Sequence, residues 1–381
     1  MINNRKAAII GCGFVGASTA FSLMHQGLFS ELVLIDVNEE KARGEAMDLS
    51  HGRPYVDTSK IYAGSYDDVA DCGLIIITAG ANQKPDETRL DLVHKNVSIF
   101  KSIIPEITRR NSEGILLVVA NPVDILTYVT LKLSGFPKNR VFGSGTVLDS
   151  ARFQYLLSEH LEVDSGSIQA FIIGEHGDSE LAVWSDTNVS GIGINEFCEM
   201  RGHFDHEKSM KRIFDDVKNS AYEIIEKKGA TYYGVAIAVS HIAESIIRNK
   251  NSILPVSSLL SGEYGLSDLC LSVPTIVNKN GAEQVIEIDL NSEESSLLHK
   301  SAGQLKEILS YLDASEEERD YSIISTLTPD ESVGKCVYCK HCHPCPAGLD
   351  IGLINKVQWK YLHVMRSVLL YDSNKNLLIF Y

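Results

Sequence analysis

With 381 residues, 44% of them hydrophobic and 22% charged, the chain is long enough for two packed domains or one with an appendage, and wholesale disorder is excluded. A balance of 50 acidic against 35 basic residues gives a formal charge of −15, which offers no general attraction to a nucleic acid or an anionic membrane. Apolar runs such as 74–77 and 115–120 fall far short of the roughly 18 residues a spanning helix needs. The opening MINNRKAAIIGCG lacks a secretory apolar core, so a cytoplasmic protein is expected.

From residue 5 to about 150, apolar β-type runs alternate with helix-length stretches, the pattern of parallel strands joined by helical crossovers. The runs are Lys6 to Ile10, Leu32 to Asp36, Ile61 to Gly64, Leu74 to Thr78, Ile115 to Ala120 and Val141 to Gly143, which suit a doubly wound sheet. Beyond Leu161, amphipathic helices are expected over Glu207 to Lys228 and Tyr233 to Lys250. Strand-like runs follow at Ser252 to Leu260, Leu269 to Val277 and Val285 to Leu290. A last helix, Ser292 to Leu312, carries Leu297, Leu298, Leu305, Leu309 and Leu312 at helical spacing. The expected class is α/β: a parallel-sheet domain over 1–145 and an α+β domain over 146–313. Residues 314–335, with SEEERD, a Ser/Thr-rich stretch and one proline, read as a linker. Residues 336–381 form a small cysteine-rich appendage, in which the apolar positions after Lys356 suit one helix and a short terminal strand.

Ala7 to Gly16 reads AAIIGCGFVG and places Gly11, Gly13 and Gly16 in the spacing G-x-G-x-x-G, directly after a strand and opening a helix. The first glycine permits a tight turn, the second lets a pyrophosphate approach the backbone, and the third lets helix and strand pack closely. Asp36 ends the next strand, where a carboxylate accepts both ribose hydroxyls and repels a 2′-phosphate, so NAD is favoured over NADP. Ala79, Gly80 and Ala81 supply a second small-residue turn along which a dinucleotide can pass.

In Ile173 to Ser179, IGEHGDS, His176 lies on a glycine-flanked loop of the kind that faces a cleft. Upstream, GTVLDSARF supplies Asp149 and Arg152, three apart on an expected helix and able to face the same cleft. A carboxylate on one imidazole nitrogen fixes the tautomer and raises the pKa, leaving the other nitrogen to donate or accept a proton. A guanidinium one turn along clamps a carboxylate with two parallel hydrogen bonds. Together the three groups describe a site for a 2-hydroxy or 2-keto acid.

Residues 1–313 resemble the bacterial L-lactate dehydrogenases of the lactate/malate dehydrogenase family, through GCGFVGAS, VLIDVNEEKARGEAMDL, TAGANQKPDETRLDLV, VVANPVDILTYV, GSGTVLDSARF, IIGEHGDSELAVWS and KKGATYYGVA in that order. The resemblance implies a Rossmann-type NAD domain, a catalytic α+β domain, and a homodimer or homotetramer acting on pyruvate and L-lactate. It implies that His176 is the proton donor and acceptor, Asp149 its orienting partner and Arg152 the substrate-carboxylate clamp. Arg89 would polarise the keto oxygen from a mobile loop, Asn121 would bond that oxygen and the nicotinamide region, and Thr231 would wall the pocket. Phe14, Val15 and Val119 join Gly11, Gly13, Gly16, Asp36, Ala79, Gly80 and Asn121 as expected cofactor contacts. Malate-using relatives place an arginine where this chain has Gln83, and an amide cannot neutralise a second substrate carboxylate, so lactate is favoured over malate. The loop carries Asp86 where glycine is usual, which removes backbone freedom and adds a negative charge beside Arg89, implying either slower closure or a pairing that weakens the arginine's action. Relatives activated by fructose 1,6-bisphosphate hold it with an arginine two residues after the clamp and a histidine seven before the catalytic one. Here those positions are Gln154 and Gln169, so activation is not expected.

Eight cysteines divide into two sets. Cys12, Cys72, Cys198 and Cys270 are scattered, as small buried apolar groups are. Cys336, Cys339, Cys342 and Cys345 form C-x-x-C-x-x-C-x-x-C-P, a set of soft thiolates able to wrap one metal centre. Residues 320–356 resemble the iron–sulfur tail of a group of bacterial aldo/keto reductases, which implies a 4Fe-4S cluster, with zinc or a metal-free vestige as alternatives. Rival readings of the whole chain are a malate dehydrogenase, a redox or electron-transfer fusion using the terminal cluster, and a non-catalytic interaction protein. The last is disfavoured because every chemical residue named above is present.

Overall fold

The computed structural model describes residues 2–56, 60–81, 89–313, 368–371 and 377–380. They belong to two units, one of residues 1–82 with 92–312, the other of 83–91 with 313–381. In the first, β1 (Asn3–Ile10), β2 (Glu31–Ile35), β3 (Lys60–Ala63), β4 (Cys72–Ile77), β5 (Ile115–Val118) and β6 (Val141–Gly143) pair in parallel in the spatial order β3-β2-β1-β4-β5-β6. Strands β4, CGLIII, and β5, ILLV, are buried at every position, as parallel strands covered on both faces must be. Alternation in β1 sends Ala7 and Ile9 into one core and Ala8 and Ile10 into the other.

Helices α1 (Phe14–Gln26), α2 (Glu39–Gly52), α3 (Arg89–Thr108) and α4 (Val123–Ser134) make the crossovers. Leu23 and Ala46 from α1 and α2 join one core; Phe100 and Leu126 from α3 and α4 join the other. Both α1 and α4 end at left-handed glycines, Gly27 at φ 63° and Gly135 at φ 64°, whose amides bond back to carbonyls of the last turn.

After β6 come α5 (Val147–Leu161), the short strands β7 (Ile168–Gln169), β8 (Ile172–Ile173), β9 (Leu181–Ala182), β10 (Asn188–Val189) and β11 (Ile192–Gly193), then α6 (Ile194–Met200), α7 (His206–Lys228) and α8 (Tyr233–Ile247). Strands β12 (Ser252–Ser261), β13 (Ser267–Asn278) and β14 (Gly281–Val285) precede α9 (Ser292–Asp313). The expected α+β half is not a separate sheet: β12 lies antiparallel to β6 through Ser257 and Gly143, so one nine-stranded mixed sheet runs through both halves. The expected strand over Val285 to Leu290 also gives way, because β14 stops at Val285. Beyond it Tyr264 substitutes for a strand partner: its hydroxyl donates to Ile286 O at 3.2 Å and accepts from Ile288 N–H at 3.0 Å.

Cys12, Cys72, Cys198 and Cys270 are all buried, and burial pushes the Cys12 thiol up to about 12, as inert apolar packing requires. In the second unit β15 (Val368–Tyr371) and β16 (Leu377–Phe380) pair antiparallel, so the region after Lys356 holds two strands where one helix and one short terminal strand were expected. Apolar β-propensity in VLLY and LLIF, separated by the polar DSNKN, favours a hairpin there. Cys336, Cys339, Cys342 and Cys345, with the linker at 314–335, lie outside the described residues.

Candidate active site

Strand order reverses between β1 and β4, and the loops leaving their carboxyl ends meet there. Gly11, at φ +101°, passes so close to Ala79 that a Cβ would stand 2.6 Å from the Ala79 backbone. A Cβ on Gly16 would stand 1.9 Å from Gly11 O, so helix and strand pack only with glycine there. Thr78, which sequence reasoning passed over, stitches the two loops by donating its hydroxyl to Gly11 O at 2.6 Å. Gly13 is different: it is exposed, and a Cβ there would meet nothing within 4 Å. It opens α1 with no side-chain cap and no acidic residue in the first turn, leaving amides and helix dipole for an anion. Phe14 is 68% exposed beside it, Val15 is half-buried, and the Phe14 ring stacks on Tyr232 at 5.2 Å.

Asp36, just past β2, accepts from Cys12 N–H at 2.6 Å and from Asn38 N–H at 2.9 Å. Its carboxylate is thereby aimed by backbone donors while each oxygen keeps a lone pair for a further hydroxyl. Asn96, buried in α3, ties the loops after β4 and β5 together: it accepts from Ala81 N–H at 2.7 Å and donates to Asn121 O at 2.7 Å. That ties the turn at Gly80 and Ala81 to Asn121 along the same crevice, while Val119 is held by its own N–H to Ile77 O at 2.9 Å. A bare helix start, a close-approach glycine turn and an oriented strand-end acid fit a nicotinamide dinucleotide.

His176 lies in the loop joining β8 to β9, and Asp149 and Arg152 lie one turn apart on α5. His176 Nδ1 is 2.6 Å from Asp149 Oδ2, and Arg152 Nη1 donates to Asp149 Oδ1 at 2.7 Å. Burial works against charge on His176, but the Asp149 carboxylate, helped by Glu180 and Asp124, raises it to about 9. Burial would also raise Asp149, yet His176 and Arg152 hold it below the usual carboxylate range. Sequence reasoning missed two acids here. Glu180, buried in the same loop, has a carboxylate oxygen within 4.8 Å of the Asp149 and His176 ligand atoms, and burial with Asp149 pushes it up to about 8. Asp124, in the first turn of α4, accepts the His176 N–H at 2.8 Å. Their signals were the spacing His-x-x-x-Glu before an apolar strand and the acid three residues after Asn121. Thr231 is half-buried just ahead of α8. Gln83, Asp86 and the Arg89 side chain lie outside the described residues.

The lactate/malate dehydrogenase NAD-binding domain matches residues 5–143, and that family's alpha/beta C-terminal domain matches residues 146–315. The chain belongs to the lactate/malate dehydrogenase family. It is 58% identical to an L-lactate dehydrogenase of Acetivibrio thermocellus over 316 residues, covering 82% of this chain and 100% of the relative. L-lactate dehydrogenase 1 of Clostridium acetobutylicum is 57% identical over 309 residues, covering 81% of this chain and 99% of the relative. Among solved structures, the minor L-lactate dehydrogenase of Enterococcus mundtii, in a ligand-bound form, superposes with a TM-score of 0.79 at 44% identity, covering 82% of this chain and 99% of its own. The family match ends at residue 315, short of the four clustered cysteines. Among the described residues no helix is long and apolar enough to cross a membrane.

Proposed function

We propose that this chain is an NAD-dependent L-lactate dehydrogenase that interconverts pyruvate and (S)-lactate. The observation that carries the reading is the Asp149 carboxylate bonded on one side by His176 and on the other by Arg152, in a chain 58% identical to an L-lactate dehydrogenase. Amides at Gly13 and the start of α1 would hold the cofactor pyrophosphate, Asp36 the adenosine ribose, and the turns at Ala79, Gly80 and Val119 the path to the nicotinamide. The bound cofactor supplies or receives the hydride.

In pyruvate reduction, hydride arriving at the keto carbon drives the C=O electron pair onto oxygen, and His176 Nε2–H passes its proton there. Asp149 on Nδ1 leaves Nε2 as the exchanging nitrogen and stabilises the imidazolium before transfer. Arg152, held by Asp149 through one nitrogen, is assigned the substrate carboxylate, while Arg89 and Asn121 are assigned the keto oxygen and Thr231 the pocket wall. Gln83 favours a methyl over a second carboxylate. The test is NADH oxidation with pyruvate: His176→Asn should lower turnover by about 100-fold or more, within what general acid–base catalysis supplies, and leave NADH binding in place. Near-normal turnover by that variant overturns the assignment.

Exposed Phe21, Met47 and Ile237, on α1, α2 and α8, support self-association as a homodimer or homotetramer. The cysteine spacing supports a 4Fe-4S cluster at Cys336, Cys339, Cys342 and Cys345. Iron and sulfide analysis of the full chain beside a chain ending at Asp313 tests that assignment.

A further inference from the structure

We infer that Asp124 is a positioning residue that sets where His176 stands, by holding the backbone of the loop rather than the imidazole. The inference rests on the role proposed for His176. Asp124 is 2% exposed and lies in the first turn of α4, three residues after Asn121. Its two oxygens take three donors from three other parts of the chain. Oδ2 accepts the His176 N–H at 2.8 Å, and Oδ1 accepts the Ser257 hydroxyl of β12 at 2.6 Å and the Ser272 hydroxyl of β13 at 3.1 Å. One buried carboxylate therefore joins the loop that carries His176 to two neighbouring strands of the main sheet and to the helix that follows Asn121.

The need for such an anchor follows from the loop itself. It leaves β8 through Gly174 at φ +95° and passes Glu175 and His176 to Gly177 at φ +149°, so the pair between them is flanked by the two most permissive backbones in the segment. The strands on either side are two residues long, and the backbone bridge of Gly174 to Ser272 of β13, at 2.9 and 3.1 Å, holds the start of the loop but stops two residues short of His176. The neighbouring amide of Glu175 is held separately, donating to Ser301 Oγ of α9 at 2.9 Å. His176 N–H is the next donor along, and its acceptor is Asp124. Asp149 orients the imidazole once the Cα is placed, but it cannot place the Cα. Proton transfer requires reacting atoms within about 3–3.5 Å, and a displacement of about 1 Å far from the chemistry can cost about 100-fold.

What the position requires is an acceptor facing His176, more than a charge. An asparagine can turn its carbonyl oxygen to the His176 N–H and its amide nitrogen to the serine hydroxyls, which accept as readily as they donate. Alanine leaves all three donors without a partner. Single-turnover NADH oxidation and steady-state pyruvate kinetics on the full chain, with NADH affinity measured by fluorescence, should separate the two. Assayed near pH 6, where the imidazole keeps its proton without the Asp124 charge, Asp124→Ala should lower the transfer rate by about 10- to 100-fold with NADH affinity unchanged, while Asp124→Asn should stay within about threefold of the unaltered enzyme. Equal rates for alanine and asparagine variants, whether both high or both low, overturn the inference. If Asp124→Ala does not fold, the pair Ser257→Ala with Ser272→Ala carries the test. Freeing Oδ1 should then lower the transfer rate with NADH affinity intact, and an unaltered rate refutes the positioning role. His176→Asn measured alongside separates the two claims: if it retains turnover, the reading of the site fails, whereas if it is inactive and Asp124→Ala is not slowed, only the role of Asp124 fails.

Discussion

His176 Nδ1 and Asp149 Oδ2 stand 2.6 Å apart, and the same carboxylate takes Arg152 on its other oxygen at 2.7 Å. One buried acid thus orients both the imidazole assigned the proton and the cation assigned to the substrate carboxylate. Because α5 carries Asp149 and Arg152 at i and i+3, a single helical turn fixes their spacing, and only the His176 loop has to be brought to them.

The pH dependence follows from that pairing. His176 is raised from 6.5 to about 9, burial opposing and Asp149 overriding. Pyruvate reduction needs the imidazolium, so its kcat/KM should hold below that value and fall as pH rises through it; lactate oxidation needs the neutral ring and should rise over the same range. Glu180, pushed up to about 8, ionises in the same window, so the limb belongs to both groups. Asp149→Asn removes the charge that holds the proton and should move the fall in reduction to lower pH. A profile from pH 6 to 10 with the same midpoint in both proteins would remove Asp149 as the cause. For stability the sign is the same: the folded pKa exceeds the ordinary value of 6.5, so the ion pair contributes fully below that pH and its contribution is lost as pH climbs through about 9.

Cofactor choice is assigned to Asp36. Its carboxylate is held by the amides of Cys12 and Asn38, so it cannot swing away from an added 2′-phosphate. Asp36→Ala removes that repulsion and the ribose acceptor together, and should raise the ratio of kcat/KM with NADPH to that with NADH by about tenfold or more. Steady-state rates with both cofactors check this, and an unmoved ratio would take Asp36 out of the ribose site.

Substrate choice is assigned to Gln83. Gln83→Arg places a guanidinium that pairs with the second carboxylate of oxaloacetate and is left unpaired beside the methyl of pyruvate. The ratio of kcat/KM values should shift toward oxaloacetate by about tenfold or more. If the two substrates keep their ratio, Gln83 does not face the pocket.

Much of this was legible before any coordinates. The six parallel strands announce themselves because strands covered on both faces need unbroken apolar runs, and the glycine spacing reports a tight turn at Gly11 and a helix–strand packing at Gly16 that leaves no room for a Cβ. Contacts made across the chain were less legible. Nothing local marks Ser257 as the point where β12 joins β6, or Asp124 as the acceptor for a backbone amide 52 residues away. Val285 to Leu290 has the alternation of a strand, but after Ile286 N–H bonds Pro274 O of β13 at 2.8 Å the next backbone groups, Ile286 O and Ile288 N–H, turn to the side chain of Tyr264. Glu180 reads as a solvated loop acid until burial beside Asp149 is seen.

Fructose 1,6-bisphosphate should not activate this enzyme. Activation in the relatives it resembles needs cations at the positions of Gln154 and Gln169, where the two phosphates would be paired. Gln154 is a neutral donor already engaged within the chain, its amide giving a hydrogen bond to Ala170 O at 3.2 Å. Gln169 is exposed on β7 and likewise carries no charge. If the subunits meet about a two-fold axis, each missing cation is missing twice, and a formal charge of −15 leaves no favourable field to replace them. A ligand with no tighter hold on the active arrangement has no differential free energy with which to shift the equilibrium, however much of it is present. Pyruvate saturation curves with and without the sugar bisphosphate at millimolar concentration should therefore superimpose. A fall in apparent KM, or sigmoidicity that the ligand removes, would refute this, whereas Gln154→Arg combined with Gln169→His should create a response where the unaltered chain has none.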